Sequence, residues 1–201
     1  MFLLRRPNTQ NIAEFLDKTA SDTFSYPQEG ATAAKVPKGY NVDHNRLKIG
    51  TGDGDFELAE KAIREWKMFD FPWVRLWPIT TPIEVGRTVA IVVEHFGFYS
   101  MNAARIVYVI DEQGDVDRFG FAYGTLTEHG EIGEERFSVE YHRSTGEVWY
   151  DLFAFSRPGS LPARIGYPLS RYLQRSFASD SLNAMKRAVE RSRPPGKTAA
   201  P

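Results

Sequence analysis

The 201-residue chain contains no cysteine. Disulfides, thiolate metal sites and cysteine nucleophiles are excluded at once, and the absence fits a reducing, cytoplasmic compartment. Nowhere is there a run of the roughly 20 apolar residues that a membrane-spanning helix needs. Met1 to Pro7 has two arginines but no apolar stretch that would read as a secretory leader. Surplus charge is missing too. Twenty-five Lys and Arg against 26 Asp and Glu leave a net charge of -1, so nothing global attracts nucleic acid. A Gly-x-Ser-x-Gly elbow is absent, and Ser156, before Arg157 and Pro158, falls where a turn is expected rather than a nucleophile. His44, His95, His129 and His142 show no spacing that gathers three or four ligands, so neither a metal nor a cofactor is expected.

What is present is a globular composition, 42% hydrophobic and 25% charged, in a chain long enough for one domain with a sizeable core. The expected domain is 1–193, with a helical and turn-rich extension over 1–43 and a frayed tail over 194–201. Charge is unevenly placed. From Asp111 to Asp151, 11 acids face three arginines, whereas Arg164 to Arg193 holds seven bases against Asp180 and Glu190. A basic C-terminal helix lying near an acidic sheet accounts for both.

In chain order, Asn8 to Asp17 reads as a short helix, and Phe24, Tyr26, Val36 and Tyr40 anchor the turn-rich stretch that follows. Arg46 to Ile49 is a first strand. The G-T-G-D-G-D run after it lacks the third glycine of a dinucleotide loop and the Lys-Ser or Lys-Thr of a phosphate loop, so Asp53 and Asp55 are read as helix caps. A helix is predicted over Asp55 to Met68. From Pro72 the period becomes alternating, giving strands at Trp73–Trp77, Thr88–His95, Ala103–Ile110, Arg118–Thr127, Glu134–His142 and Val148–Phe155. A final helix over Pro168 to Arg191 carries an apolar stripe of Leu169, Tyr172, Leu173, Phe177, Leu182, Met185 and Val189. This order predicts an α+β fold, a curved, mainly antiparallel sheet of seven strands gripping a long C-terminal helix, with space for a small molecule between them.

The densest mixture of aromatic, small and ionisable residues is the hairpin from Phe119 to Tyr141. Phe119, Phe121, Tyr123, Thr125 and Thr127 share one face of its first strand, and Glu135, Phe137, Val139 and Tyr141 one face of its second. Glu135 is the odd member of an apolar face, expected opposite Thr125 or Thr127. Glu134 and Arg136 point the other way, where a polar cluster with Arg105 and Asp151 is expected beside Trp149, Phe153 and Phe155.

Several stretches resemble the DUF nineteen-ninety family: F-S-Y-P at Phe24, E-G-A-T at Glu29, P-K-G-Y at Pro37, G-T-G-D-G-D-F at Gly50, W-K-M-F at Trp66, R-I-V-Y-V at Arg105, F-A-Y-G-T-L-T-E-H-G-E-I-G-E-E-R-F at Phe121 and F-S-R-P at Phe155. The resemblance implies a START-like, helix-grip fold and a hydrophobic ligand, but no activity to carry over.

These readings converge on a binding protein for a small hydrophobic ligand, in a pocket lined by Tyr123, Thr125, Glu135, Phe137, Val139 and Tyr150, with His129 near its polar mouth. An enzyme of cyclase, dehydratase or hydrolase type would use Glu135 and His129 as acid and base. A third reading is an interaction module whose aromatic face, Trp149 and Phe153, meets a partner or a second copy of the chain, forming a homodimer.

Overall fold

A computed structural model describes residues 1–95, 97–127, 131–159 and 167–194. Of the expected tail, 195–201 lie outside the described residues, as does His129. After a two-residue strand β1 (Phe2–Leu3) come helix α1 (Thr9–Thr19), strand β2 (Asn41–Thr51) and helix α2 (Gly52–Arg64). Strands β3 (Val74–Trp77), β4 (Thr88–His95), β5 (Phe98–Glu112), β6 (Val116–Thr125), β7 (Glu131–His142) and β8 (Glu147–Pro158) follow, and then helix α3 (Tyr167–Ser192).

The sheet is antiparallel throughout, in the order β2-β8-β7-β6-β5-β4-β3, with β1 paired to β5. Strands β3 to β8 are a meander, and β2 closes one edge by pairing with β8. Within the meander each strand follows its sheet neighbour in sequence, as antiparallel strands can without a crossover. Register slips at Ile106/Tyr108 in β5 and Lys48/Gly50 in β2 add the local twist that curves a sheet. The concave face takes α3, 26 residues and about 39 Å long at about 1.5 Å per residue. This is the expected helix-grip arrangement, and among the described residues no helix is long and apolar enough to cross a membrane.

The core occupies one end of that concave face. Phe119, Phe121, Phe137, Val139, Tyr150 and Leu152 meet Ile63, Trp66, Met68 and Phe69, and Met185 and Val189 of α3 close it. The predicted α2 helix ends four residues early, at Arg64. Trp66 then takes a left-handed φ of 56°, and Lys67–Phe69 form a 3-10 turn that drives Phe69 into the sheet. A bulky residue in that region costs on the order of 1 kcal/mol or more. The indole donating to Thr81 O at 2.8 Å and complete burial of Trp66 hold it there.

The convex face is covered as well. Helix α1, capped by Asn8 with reciprocal bonding to Asn11, lays Ile12 and Phe15 on Ala90, Val92, Met101 and Ala103. Residues 24–40 cross β7 and β8, where Tyr26 and Tyr40 pack edge-on to the buried Phe155. Gly124 makes this crossing feasible. A Cβ there would lie 2.1 Å from the Tyr26 hydroxyl, which instead donates to Glu134 at 2.7 Å. Glu134, buried to 2% exposure, also accepts from Gly30 N at 2.8 Å, from Thr32 N at 2.9 Å and from the Thr32 hydroxyl.

The expected polar cluster on this face is therefore divided. Arg136 pairs with Asp151 at 2.9 Å, but Glu134 is taken by the 24–40 strap. Arg105 donates to Asp22 O and Ala20 O, the carbonyls beyond the end of α1, at 2.7 and 2.9 Å. Trp149 and Phe153 are half-buried and lie beneath cations, Arg46 over the first at 5.2 Å and Arg136 over the second at 5.3 Å. The N-cap of α2 is Thr51 rather than Asp53 or Asp55, because the helix begins at Gly52; Asp55, inside it, accepts from Thr51 N at 2.8 Å and receives two bonds from Arg193 just beyond the end of α3.

Candidate functional site: a cavity between the sheet and α3

Toward the other end of the concave face the core stops and a cavity of about 700 Å³ opens. Its floor follows from strand alternation. Phe137 and Glu135 are both inward on β7, two positions apart and thus separated by about 7 Å. At the level of Phe137 the space is filled with rings. Phe121, Tyr123 and Phe69 lie 5.4, 5.2 and 5.7 Å from it between centroids, and Phe177 of α3 is 5.5 Å from Phe69. At the level of Glu135 the side chains line the cavity instead of filling it.

The register places Glu135 opposite Tyr123, two positions short of the nearer expected threonine, since Thr125 lies beyond the Gly124–Glu134 pair. The consequence is direct: the Tyr123 hydroxyl donates to Glu135 Oε2 at 2.7 Å. Burial pushes the Glu135 carboxyl up to about 7, opposed by this hydrogen bond and assisted by the nearby Asp43 carboxylate. The Tyr123 phenol is held well above its ordinary range by burial and by Glu135. Thr125 bridges strands instead, donating to Gly133 O at 3.1 Å and accepting from Gly133 N at 2.9 Å.

Tyr123, Thr125 and Glu135 thus line the cavity together. Phe137, Val139 and Tyr150 do not. They are fully buried in the core below its floor, and the Tyr150 hydroxyl is bonded to Ser181 at 2.9 Å. The expectation that all six share one pocket followed the face correctly but not the depth, because alternation carries no information on where packing stops.

The remaining lining was not foreseen. Trp73, Val74, Ile91 and Val93 form an apolar side wall on β3 and β4, with Leu173, Phe177 and Ala178 of α3 facing it. Beside them His95 Nε2 is 2.7 Å from Ser100 Oγ, to which Asn102 Nδ2 also donates at 3.1 Å. Burial lowers the His95 pKa. The signal for Ser100 and Asn102 was present as the alternation of Tyr99, Ser100, Met101 and Asn102. Starting the strand at Ala103 rather than Phe98 hid it.

The N-terminal half of α3 roofs the cavity through polar contacts. Arg171 grips Asp43 of β2 at 2.5 and 2.6 Å, Gln174 donates to Ser156 at 2.9 Å, and Ser170 donates to Glu131. Tyr172, expected in the apolar stripe, is 60% exposed, and Leu169 is 40% exposed although it edges the cavity. Among the described residues no group of three or more His, Asp or Glu side chains is arranged to hold a metal ion.

The profile of the family described as Domain of unknown function (DUF1990) matches residues 25–184. A UPF0548 protein of Dictyostelium discoideum is 37% identical over 94% of this chain and 96% of its own length. A UPF0548 protein of Deinococcus radiodurans is 35% identical over 94% and 99% respectively. Among solved structures, human STARD10 aligns with a TM-score of 0.47 at 10% identity, over 94% of this chain and 82% of that one. The match to 25–184 takes in the strap from residue 25, strands β2 to β8 and the roofing half of α3, and on it and the two relatives the chain belongs to the DUF1990 family.

Proposed function

We propose that this protein binds a small amphipathic molecule in the cavity between the sheet and α3, its apolar body against the β3–β4 wall and its polar group at Glu135. The single observation that carries this reading is the cavity itself. A space of about 700 Å³ with apolar walls and a few convergent polar groups is of the size and character of small-molecule sites. Tyr123, Thr125 and Glu135 supply polar contacts on β6 and β7, and His95, Ser100 and Asn102 supply a second set on β4 and β5.

The test is native mass spectrometry of the purified protein, followed by denaturation and extraction, in parallel with Ala154→Phe. Ala154 lines the cavity on β8, across from Glu135, and a phenyl group there occupies the space a ligand would take. A stoichiometric compound carried by the natural protein and absent from the folded variant is the expected result. Equal occupancy of both overturns the assignment.

A second reading, an enzyme, is favoured by one observation. A carboxyl titrating near 7 beside a phenol is suited to exchanging a proton with a bound molecule at neutral pH. It predicts turnover that Glu135→Gln removes while binding persists.

A further inference from the structure

The ionisable lining of the cavity is one-sided. Asp43, Glu131 and Glu135 line it, with Glu134 at its edge but turned into the strap, against the exposed Arg175, His95, whose pKa burial lowers, and the Met1 amino group. Three of these acids are already supplied. Glu134 is held by the strap, Asp43 by Arg171, and Glu131 by Ser170. Glu135 differs. Its hydrogen bond comes from a neutral phenol, and among the described residues no Lys or Arg forms an ion pair with it. The titratable and charged groups that face it from the neighbouring elements are few. β6 presents Tyr123, β8 Tyr150, β2 Asp43 with its Arg171 from α3, β7 itself Glu131, and β4 across the cavity His95. The chain's amino group is committed to Met101 O at 3.0 Å.

We propose that the cavity selects a cationic amphiphile, an apolar body carrying a primary or secondary amine, whose ammonium docks on the Glu135 carboxylate. The inference rests on the binding reading above. An ammonium brings the counter-charge that the fold withholds and donates to the Glu135 oxygens beside the phenol. A carboxylate ligand would meet like charge at the same point, and a neutral alcohol would gain a hydrogen bond but no charge pairing. The arrangement discriminates by repulsion as well as attraction.

The probes are three molecules of equal chain length: octylamine, 1-octanol and octanoate, titrated by calorimetry into the full chain at pH 6, 7 and 8. Octylamine stays protonated throughout, so its dissociation constant follows the ionisation of Glu135. It falls about tenfold from pH 6 to pH 8, because the competent carboxylate grows from about a tenth to about nine tenths of the protein. At pH 8 octylamine binds at least about tenfold more tightly than octanol, and octanoate binds most weakly. Glu135→Gln brings octylamine to the level of octanol and removes the pH trend, with octanol binding itself serving as the check that the variant is folded. Should that variant not fold, Asp43→Asn provides the second arm, since removing a neighbouring anion lowers the midpoint of the octylamine trend. Octanol or octanoate binding as tightly as octylamine at pH 8 overturns the amine proposal while leaving the cavity reading intact. Failure of all three probes to bind overturns the cavity reading.

Discussion

At Glu135 the sheet holds a carboxyl where its neutral form is favoured, and the consequence for stability has a definite sign. The folded-state value, about 7, lies above the ordinary 4.5, so the folded protein retains a proton that the unfolded chain has released. Stability from this residue is full below pH 4.5, falls as pH rises through the window between the two values, and stays low above 7. Between pH 5 and pH 8 the loss is about 2 kcal/mol. Glu135→Gln keeps the acceptor for Tyr123 but cannot ionise. Its denaturant midpoint should match the parent near pH 5 and exceed it at pH 8, and parallel curves across that range would refute the placement. Glu135 was legible from sequence because a charged residue interrupts an apolar face. Ser100 and Asn102 were harder to read, since small polar residues at the start of a strand look like a turn despite the alternation over 99–102, and nothing local to His95, at the end of β4, names Ser100 as its neighbour.

Two elements are held by a few polar groups rather than by area, and they are where single changes should act locally. The 24–40 strap hangs on Glu134, which takes four donors at 2% exposure. Glu134→Ala leaves those buried donors without an acceptor and should cost about 3–5 kcal/mol. Amide hydrogen exchange should accelerate across 24–36 before it does in β6 or β7. The N-terminal half of α3 depends instead on Arg171 and Asp43, a partly buried bidentate pair. Arg171→Met should cost about 1–2 kcal/mol and raise exchange in 169–178, while 184–189, seated in the apolar core, keep their protection. Element identity was legible because periods of 2 and 3.6 are written into the strands and helices from Thr88 to Val189. The strap's role was not. Phe24, Tyr26 and Tyr40 announce anchoring, but their target, Phe155 and Glu134 across more than 100 residues, depends on Gly124 leaving room for a tyrosine hydroxyl. No local pattern encodes that meeting.

Taken whole, the molecule is divided along the length of α3. At the C-terminal end of the helix, aromatic and aliphatic side chains fill the concave face, and Arg193 is tied to Asp55. At the N-terminal end the helix spans a void on polar contacts. Such a division places the least stable part of the fold around the space that a ligand would fill, so occupancy should order it. A ligand present at about 100 times its dissociation constant adds about 2.7 kcal/mol to stability, which for a domain of this size raises the melting temperature by about 5–10 °C. The roof at 169–178, with β3 and β4, should lose its local openings on binding, while the core amides of β6 and β7 near Phe121 and Phe137, which exchange through global unfolding, should slow by about 100-fold, the same 2.7 kcal/mol. Ala154→Phe distinguishes filling from binding. The added ring should reproduce the ordering of the α3 roof without ligand and abolish the ligand-dependent melting shift. A variant that still shows the full shift would mean that the ligand sits elsewhere and that the void is incidental to the fold.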